Sequence, residues 1–515
     1  MEKTLPPRGA SLLLGLVLAL LLFRLGAVPL LGPDEPRYAR VAVEMQRARE
    51  WVRPTLQGQP WLEKPVLYYW LAGGAFSILG ETELAARLPS VLAALLLVGA
   101  TALLGARLFG SAAGLHAGFV IGTSALAFAY GRAASMDMLL AACDTAALAL
   151  LALRLLGIAG RSAVPAASAF VGLAVLAKGP LGLLLPALVV GGYVVTTREW
   201  RWLRELLAPA SLLAFLLVAG PWYGAVLRDQ GRAFVDVFLL GHNLERFTST
   251  VHHHPGPLVY YVPVLLLGLF PWTGLLVPAL ASLAPRDRRA DLLLLLWLAL
   301  PFLFFSAAGS KLPGYILPCL PPLALLMGRA ADGWRLDSRW TRAAGLLGLM
   351  LGALVATGPA FLRRLDASLW TTALPAALWS LAVAFLVSRR LEADAVGALR
   401  LLRVGGAGLL LLLATAAPPI VDRLESGRRL FVPAGGREVL AWGAWRTAWM
   451  AGYFYNDGRV REATDLAEVL AARPTLALVG PGERRRLEAL PDVVVRPLAE
   501  GPRQNVLLSL ESTPR

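Results

Sequence analysis

Residues 11–31 read SLLLGLVLALLLFRLGAVPLL, a run of 21 residues in which Arg24 is the single charge. About 20 apolar residues suffice for a helix to cross the hydrocarbon core of a membrane. Lys3 and Arg8 precede this run and no small-residue cleavage site follows it, so we expect a retained anchor rather than a removed signal peptide. The sequence begins, by this interpretation, with a membrane span.

The whole chain has the composition of this first segment. Of its 515 residues, 57% are hydrophobic and 16% are charged, whereas a soluble domain is about 25% charged. The mean hydropathy is +0.62. This composition argues against a soluble enzyme, a disordered chain and a fibrous protein, and it predicts a polytopic α-helical membrane protein.

Apolar runs along the chain predict thirteen spans. They cover residues 11–31, 84–107, 111–130, 137–157, 163–177, 181–196, 206–222, 258–282, 291–308, 313–330, 343–362, 369–388 and 404–420. Arginines concentrate in alternate loops, and the excess of basic residues in cytoplasmic loops sets orientation. We therefore expect a cytoplasmic N-terminus and an extracytoplasmic C-terminus, and we attribute most of the net charge of +15 to topology rather than to nucleic-acid binding.

The character of the chain changes after residue 420. Residues 1–420 form the predicted transmembrane domain, and residues 421–515, with 14 basic and 12 acidic residues, form a second domain. Short strands at 475–480, 493–495 and 506–510 and short helices at 465–472 and 483–490 predict a small extracytoplasmic α/β domain. Its Gly480-Pro-Gly482 turn is not a phosphate-binding loop, so we expect no nucleotide cofactor.

Two outer loops, 32–83 and 223–257, are too long to be simple connectors. In the first, Tyr38, Val41, Ala42 and Met45 recur with helical spacing, which predicts an amphipathic helix on the membrane surface beginning at Pro36. Asp34 is then either an N-cap or a carboxylate placed at the membrane boundary as a general base; Glu35 is a second possible cap.

Lysine is rare in this chain, and its placement is informative. Only 4 of the 49 basic residues are lysines, and Lys64, Lys178 and Lys311 all fall at predicted outer-face helix breaks. Each could be a surface ion pair or interfacial anchor. The alternative is a compact cation that binds a lipid phosphate.

Further polar residues map to the same face. Arg132 and Asp137 bracket the short loop 131–136, and Tyr315 follows Lys311 across a helix break. Asp137 is either a helix cap or a functional acid, because embedded acids are expensive and usually retained for function. We expect these residues to converge with Asp34 on one cavity, which favours chemistry at the outer membrane surface over transport.

Four of the five histidines fall within thirteen residues of the second outer loop, from His242 to His254. Clustered imidazoles can hold a metal ion, but no tight ligand motif accompanies them. A polar loop that packs on headgroups or substrate is the alternative.

An ordered set of motifs resembles a known family. They are Pro33-Asp34-Glu35-x-Arg37-Tyr38, Glu63-Lys64-Pro65-Val66-Leu67-Tyr68-Tyr69-Trp70, Ala85-Ala86-Arg87-Leu88-Pro89, Lys178-Gly179-Pro180, Gly220-Pro221-Trp222-Tyr223 and Ser310-Lys311-Leu312-Pro313-Gly314-Tyr315. Together they resemble the polyprenyl-phosphate-sugar-dependent GT-C glycosyltransferases, in particular the lipid A aminoarabinose transferase (ArnT-like) group, which is related to the protein O-mannosyltransferases. Lys64-Pro-Val stands where many relatives have Lys-Pro-Pro.

The resemblance implies an undecaprenyl-phosphate-linked sugar as donor and transfer, with inversion, on the periplasmic side of the bacterial inner membrane. The implied catalytic residues are Asp34, Asp137 and Glu35. Residues expected to bind the donor phosphate or substrate are Lys64, Arg37, Tyr38, Arg132, Lys178, Lys311 and Tyr315. A divalent metal, in the first instance zinc, is implied near Glu63, His252, His253 and His254.

The acceptor stays open at this stage. Lipid A, a protein hydroxyl and another envelope glycan all fit, and membrane lipids are the expected surroundings. A flippase or transporter of lipid-linked sugars is the alternative from another class; it would show internal repeats and mid-membrane polar residues, of which we find few.

Overall fold

The protein is mostly helical in a computed structural model, which describes residues 4–238, 256–284, 288–332, 338–391 and 393–512. In chain order the helices of the membrane part are α1 Pro7–Leu22, α2 Asp34–Ala48, α3 Leu67–Leu79, α4 Glu83–Phe109, α5 Ser111–Gly122, α6 Ala125–Gly131, α7 Met136–Leu155, α8 Ala163–Lys178, α9 Leu181–Thr197, α10 Arg201–Leu206, α11 Pro209–Gln230, α12 Arg232–Phe234, α13 Tyr261–Gly268, α14 Leu276–Ala281, α15 Arg289–Ala307, α16 Leu320–Asp332, α17 Ser338–Ala356, α18 Gly358–Leu365, α19 Trp370–Arg390 and α20 Ala395–Leu424. Short 3₁₀ turns at Leu258–Tyr260, Trp272–Leu275 and Pro313–Cys319 extend α13, α14 and α16.

Every predicted span coincides with helix, but the count of thirteen spans is not confirmed. Within the described residues, nine helices are long and apolar enough to cross a membrane. Two further candidates are bent pairs, α5 with α6 at 63° and Leu258–Gly268 with Trp272–Ala281 at 110°. The predicted spans 163–177 and 181–196 are the shorter helices α8 and α9. The chain is a multi-pass membrane protein.

Close backbone contact holds the centre of the helical bundle together. Helix α5 lies between α4 and α16, and a Cβ on Gly114 would lie 2.5 Å from the Ala102 carbonyl oxygen of α4. On the other side, a Cβ on Gly328 of α16 would lie 2.5 Å from the Ala113 carbonyl oxygen. Small residues permit such approach between membrane helices, where van der Waals packing drives association.

The amphipathic helix of the first outer loop exists, but it begins earlier than expected. Helix α2 starts at Asp34 with Pro33 as its N-cap residue, so Asp34 lies inside the first turn and does not cap it. Pro36 is tolerated at the third helical position because the first four N–H groups have no partner within a helix. Tyr38, Val41 and Met45 are buried as the spacing predicts.

Helix α2 is covered by protein on more than one side. Ala39 and Val43, on a different side from the predicted apolar stripe, are also buried. The helix packs against α3 on one side and against a short helix of the C-terminal domain, Gly452–Tyr455, on the other. The amphipathic helix expected in the first outer loop is therefore present, with more of its surface covered by protein than the apolar stripe alone predicts. Its placement on the membrane surface stays a prediction.

The C-terminal part is the expected α/β domain. Beyond α20 come short helices α21 Arg428–Phe431, α22 Arg446–Met450, α23 Gly452–Tyr455, α24 Leu466–Ala471 and α25 Pro481–Glu488, and strands β3 Val439–Trp442, β4 Val460–Glu462, β5 Thr475–Val479, β6 Val493–Glu500 and β7 Val506–Ser512. The five strands form one mixed sheet in the order β4-β3-β5-β7-β6. Strands β1 Thr55–Leu56 and β2 Gln59–Pro60 form a separate small hairpin in the first outer loop.

Polar contacts fasten the C-terminal domain to the first outer loop. Asp457 accepts hydrogen bonds from Arg40 at 2.5 Å and Arg47 at 2.7 Å, both on α2. The Gln57 amide donates to the carbonyl oxygens of Gly458 and Val460, at 2.6 Å each. Because α2 carries Asp34 and Tyr38, the C-terminal domain helps to fix the position of candidate site residues.

A buried ion pair joins four segments of the chain. Glu35 and Arg87 are almost fully buried and lie 2.7 Å apart. Glu35 also accepts hydrogen bonds from the backbone N–H groups of Leu31 and Ala134, at 2.6 Å each. Arg87 donates to the carbonyl oxygens of Leu25, Val28 and Pro29, at 3.1, 2.5 and 2.7 Å. The pair thus connects α4 with the end of the first span, the start of α2 and the loop before α7.

Replacing Arg87 by alanine should strongly destabilise the protein, because it leaves the Glu35 carboxylate buried without its cation. Loss of one partner of a buried ion pair lowers the free energy of unfolding by about 3–5 kcal/mol. Thermal unfolding of the purified chain in detergent measures the effect. Arg107→Ala is the matched control, an exposed arginine on the same helix α4, and it should change stability little. Equal unfolding temperatures for the two variants would contradict the role assigned to the pair.

Candidate active site

The candidate site is built around Asp137 in the first turn of α7. Ser135 is the N-cap residue, and its hydroxyl accepts from the Asp137 N–H at 3.1 Å. The same hydroxyl donates to the Asp137 carboxylate at 3.0 Å. Asp137 therefore does not cap α7; the serine does, and the carboxylate is left to other partners.

Lys178 is one of these partners. It ends α8, next to Gly179, whose positive φ of 73° turns the chain into α9. Its ammonium forms an ion pair with Asp137 and lies 4.3 Å from the centre of the Tyr315 ring. Cations attract aromatic faces in this geometry. Three predicted site residues from distant parts of the chain thus meet in one cluster, Asp137, Lys178 and Tyr315.

Asp34 is the more accessible of the two aspartates. Its side chain is 49% exposed, whereas that of Asp137 is 18% exposed. Arg37 forms an ion pair with Asp34 and also donates to the Pro33 carbonyl oxygen at 2.9 Å. The Arg37 guanidinium lies 5.3 Å from the centre of the Trp61 ring. Arg37 thus orients the Asp34 carboxylate, while that carboxylate remains open to the surface.

Tyr38 links the two aspartates electrostatically. Burial raises the pKa of its hydroxyl well above the ordinary value, and the charges of Asp34 and Asp137 raise it further. Its ring packs against the rings of Tyr68 and Tyr69, with centres 6.1 and 6.4 Å away. Tyr38 therefore stays protonated at neutral pH and lies within electrostatic reach of both acids.

Glu35 does not act in this group as expected. We expected it among the catalytic residues, but both of its oxygens are used by Arg87 and two backbone N–H groups in the buried cluster described above. A carboxylate held in this way lacks the freedom to accept a substrate proton. We therefore assign Glu35 a structural role.

Arg132 and Lys311 donate hydrogen bonds to backbone carbonyl oxygens at the ends of helices. Arg132 donates from Nη1 to the carbonyl oxygens of Leu21 at 2.6 Å and Phe23 at 2.8 Å, at the end of α1, while its Nη2 is buried with no hydrogen-bond partner among the described residues. Lys311 is buried and donates to the carbonyl oxygen of Ala308 at 2.6 Å, where α15 ends. Basic groups at a helix C-terminus satisfy its last carbonyls. Their expected phosphate role stays a prediction.

Glu63 and Lys64 lie in the loop before α3, and both are half-buried. Glu63 is close enough to Arg37 to affect its pKa, which brings this loop to the side of Asp34. His252, His253 and His254 lie outside the described residues. Among the residues that the structure does describe, no group of three or more His, Cys, Asp or Glu side chains could hold a metal. The zinc site therefore remains a prediction.

The sequence patterns assign no function to two buried ionisable residues, Arg87 and Asp144. Arg87 belongs to one of the motifs, but its partner Glu35 lies 52 positions away and no spacing rule connects them. Asp144 lies inside α7 with both carboxylate oxygens buried and unpaired within the described part of the chain. It follows Asp137 by seven positions, which places both on the same side of α7. The sequence signal that could have identified Asp144 is that it is a single acidic residue within an apolar run.

The fold is shared with a solved membrane protein, ArnT. In particular, the chain matches ArnT from Cupriavidus metallidurans, solved with undecaprenyl phosphate bound, with a TM-score of 0.80 and 23% identity over 98% of both chains. The apo structure of that protein gives a TM-score of 0.82 and 22% identity over 97% of both chains. The resemblance seen in the motifs is thereby confirmed at the level of the fold.

Sequence comparisons point to the same group. Residues 63–223 match the family model described as dolichyl-phosphate-mannose-protein mannosyltransferase. An undecaprenyl phosphate-α-4-amino-4-deoxy-L-arabinose arabinosyl transferase from Edwardsiella ictaluri is 33% identical over 342 residues, 63% of this chain. Its counterpart from Pseudomonas aeruginosa is 36% identical over 351 residues, 64% of this chain. Each alignment spans 61% of the relative's length.

The tight packing beside Tyr315 should make Gly314 intolerant of substitution. A Cβ at Gly314 would overlap the ring of Tyr130. Overpacking of this kind destabilises by about 1–3 kcal/mol, so Gly314→Ala should lower the unfolding temperature in detergent. Gly220→Ala is the control, because a Cβ there meets open space within α11. Equal stability of Gly314→Ala and the wild type would refute this packing.

Proposed function

We propose that the chain is an integral-membrane glycosyltransferase that moves a sugar from an undecaprenyl-phosphate donor to lipid A, with inversion, at the outer face of the bacterial inner membrane. The observation that carries the proposal is the juxtaposition of an accessible carboxylate, Asp34, with the Asp137–Lys178 ion pair around Tyr38. The names of the relatives supply the donor to test, undecaprenyl phosphate-α-4-amino-4-deoxy-L-arabinose.

Asp34 is the proposed general base. In the transfer, an acceptor oxygen forms a bond to the anomeric carbon of the sugar as the bond from that carbon to the phosphate oxygen breaks. A hydroxyl acceptor gives its proton to Asp34, whose exposed carboxylate is oriented by Arg37. A phosphate acceptor on lipid A is already ionised and needs mainly orientation. Asp137, less exposed and bound to Lys178, is the proposed positioning acid.

The reaction requires cations near the leaving group, which is the phosphate of undecaprenyl phosphate. Undecaprenyl phosphate departs with the electron pair of the broken bond, so negative charge develops on its phosphate. Preorganised donors stabilise such charge most effectively where water is excluded. Lys178 and Lys311 lie in half-buried or buried positions near Tyr315, and Lys64 lies in the loop on the Asp34 side. We assign the donor phosphate to this group, with the free Nη2 of Arg132 as a further donor.

One observation favours a second kind of acceptor, a protein hydroxyl. The family model matched by residues 63–223 is that of a protein mannosyltransferase. With that acceptor the chemistry at Asp34 is the same, and deprotonation becomes obligatory because a hydroxyl is far less acidic than a phosphate.

The proposed orientation has the N-terminus in the cytoplasm and the site in the periplasm. Helix α7 supports it, since Asp137 begins the helix on the side of the site and Arg154 lies in its last turn at the other end. Arginines gather at that other end, which is typical of the cytoplasmic side.

Replacing Asp34 by asparagine should lower sugar transfer to a hydroxyl acceptor at least ~10²-fold, because a neutral amide cannot take the acceptor proton. Transfer to a phosphate of lipid A, which is already ionised, should fall less. The assay supplies the aminoarabinose donor with either lipid A or a hydroxyl-bearing peptide to the purified chain and detects the modified acceptor by mass spectrometry. Binding of undecaprenyl phosphate should be retained, since the proposed phosphate cations are unchanged.

Asp229→Asn is the matched control for this experiment. Its carboxylate is 42% exposed, close to the exposure of Asp34, and it pairs with Arg53 at 3.9 Å. Asp229 lies in the last turn of α11 and not on α2 or α7, the helices that carry Asp34 and Asp137. Transfer by the control should equal that of the wild type. Full transfer to the hydroxyl acceptor by Asp34→Asn would eliminate Asp34 as the base, and failure of the wild type with every acceptor tested would eliminate the proposed activity.

We also propose a zinc ion bound by Glu63 together with His252, His253 and His254. These residues offer the nitrogen and oxygen ligands that zinc accepts. Elemental analysis of the purified chain should find about one zinc per chain, reduced to background when the three histidines are changed to alanine. His116→Ala, far along the chain from this group, should keep its metal. Absence of stoichiometric metal in the wild type would remove the site.

A further inference from the structure

We propose that an arginine-lined cavity at the end of the bundle opposite the candidate active site binds the headgroup of an anionic phospholipid. Its lining includes Arg154, Arg161, Arg201, Arg204, Arg289 and Glu205, together with Trp202. This lipid would be a structural or regulatory ligand, distinct from the donor and acceptor of the proposed transfer.

The position of the cavity follows from helix α7. Asp137 lies in the first turn of α7 and Arg154 in its last turn. A helix of 20 residues is about 30 Å long, the thickness of the hydrocarbon core. The cavity therefore lies at the opposite membrane boundary from Asp137.

The floor of the cavity is a rigid polar and aromatic structure. The Arg154 and Arg201 guanidiniums lie 5.1 and 4.7 Å from the centre of the buried Trp202 ring. Glu205 accepts two hydrogen bonds from Arg154, at 2.8 and 2.7 Å. The hydrogen bond from Arg154 lowers the pKa of Glu205, which is therefore ionised at neutral pH. These contacts tie α10, which lies between α9 and α11, to the end of α7.

Positive charge exceeds negative charge in this region. Five arginines line the cavity against Glu205, and Glu199 nearby pairs with Arg201 at 3.6 Å and Arg289 at 3.1 Å. The side chains of Arg161, Arg201 and Arg289 are 88, 68 and 61% exposed, so their guanidiniums are open to a ligand. Guanidiniums recognise phosphate oxygens through paired N–H groups.

The surroundings favour a lipid over a free anion. Trp200 and Leu207, which flank α10, are 56 and 64% exposed. Exposed aromatic and aliphatic side chains beside arginines mark the boundary between water and lipid. The cavity volume, about 530 Å³, lies within the range of ligand sites. A phosphodiester headgroup can occupy the cavity while its acyl chains run along these apolar residues. Charges that only set topology would require neither the concave shape nor the ordered floor.

The test is a lipid titration of the full-length chain in detergent, followed by native mass spectrometry. Phosphatidylglycerol should be retained at concentrations at which phosphatidylcholine is lost. The double variant Arg161→Gln/Arg204→Gln should bind phosphatidylglycerol about tenfold more weakly, given the contribution of single basic residues near anionic lipid. Arg389→Gln/Arg390→Gln is the matched control; it removes two exposed arginines from the end of α19, on the same predicted face, and should bind normally.

Three outcomes would overturn the proposal. They are equal retention of the two lipids by the wild type, equal weakening in both double variants, and displacement of phosphatidylglycerol by millimolar inorganic phosphate, which would indicate a site for free anions. If the Arg161→Gln/Arg204→Gln variant fails to fold, the salt dependence of lipid binding by the wild type still tests the proposal. Its phosphatidylglycerol affinity should fall as sodium chloride rises, because the attraction is between charges, and salt-independent binding would contradict the site.

Discussion

The ion pair between Glu35 and Arg87 is the interaction on which the half of the molecule that carries the candidate site depends. Each charge is removed from water, which is unfavourable unless the remaining hydrogen-bonding groups are also satisfied. Here they are, by two backbone N–H groups on Glu35 and three carbonyl oxygens on Arg87. The carbonyls belong to the chain between α1 and α2, and one N–H belongs to the loop before α7. One pair therefore fixes the relative positions of the segments that present Asp34 and Asp137.

The other groups of the candidate site differ in how strongly their neighbours fix their positions. Asp137 is fixed by Ser135 and Lys178, and Lys178 in turn lies over Tyr315. Asp34 has one ion-pair partner among the described residues, Arg37, and is half exposed. A rigid pair beside a more accessible acid suits a reaction in which one substrate is held while another approaches from the membrane surface.

Periodicity and composition predict much of this structure because they reflect local physics. Apolar runs locate the helices, and the spacing of Tyr38, Val41 and Met45 identifies the buried side of α2. Convergence of Asp137, Lys178 and Tyr315 follows from alternating spans. The partner of Glu35 and the enclosure of α2 by the C-terminal domain depend on contacts between distant residues, which no local pattern encodes. Strands β3 and β4 were missed because they have four and three residues, too few to show a periodicity.

The attachment of the C-terminal domain has a consequence for the order of assembly. Helix α2 is among the first segments to leave the ribosome, whereas Tyr455, which accepts from the Leu30 N–H at 2.8 Å, and Asp457, which binds Arg40 and Arg47, come more than 400 positions later. A nascent chain with all its spans inserted still lacks these contacts. The first outer loop can therefore make these contacts only after residues 455–457 have been synthesised, so the site residues on α2 are fixed in place later than the helices of the membrane part.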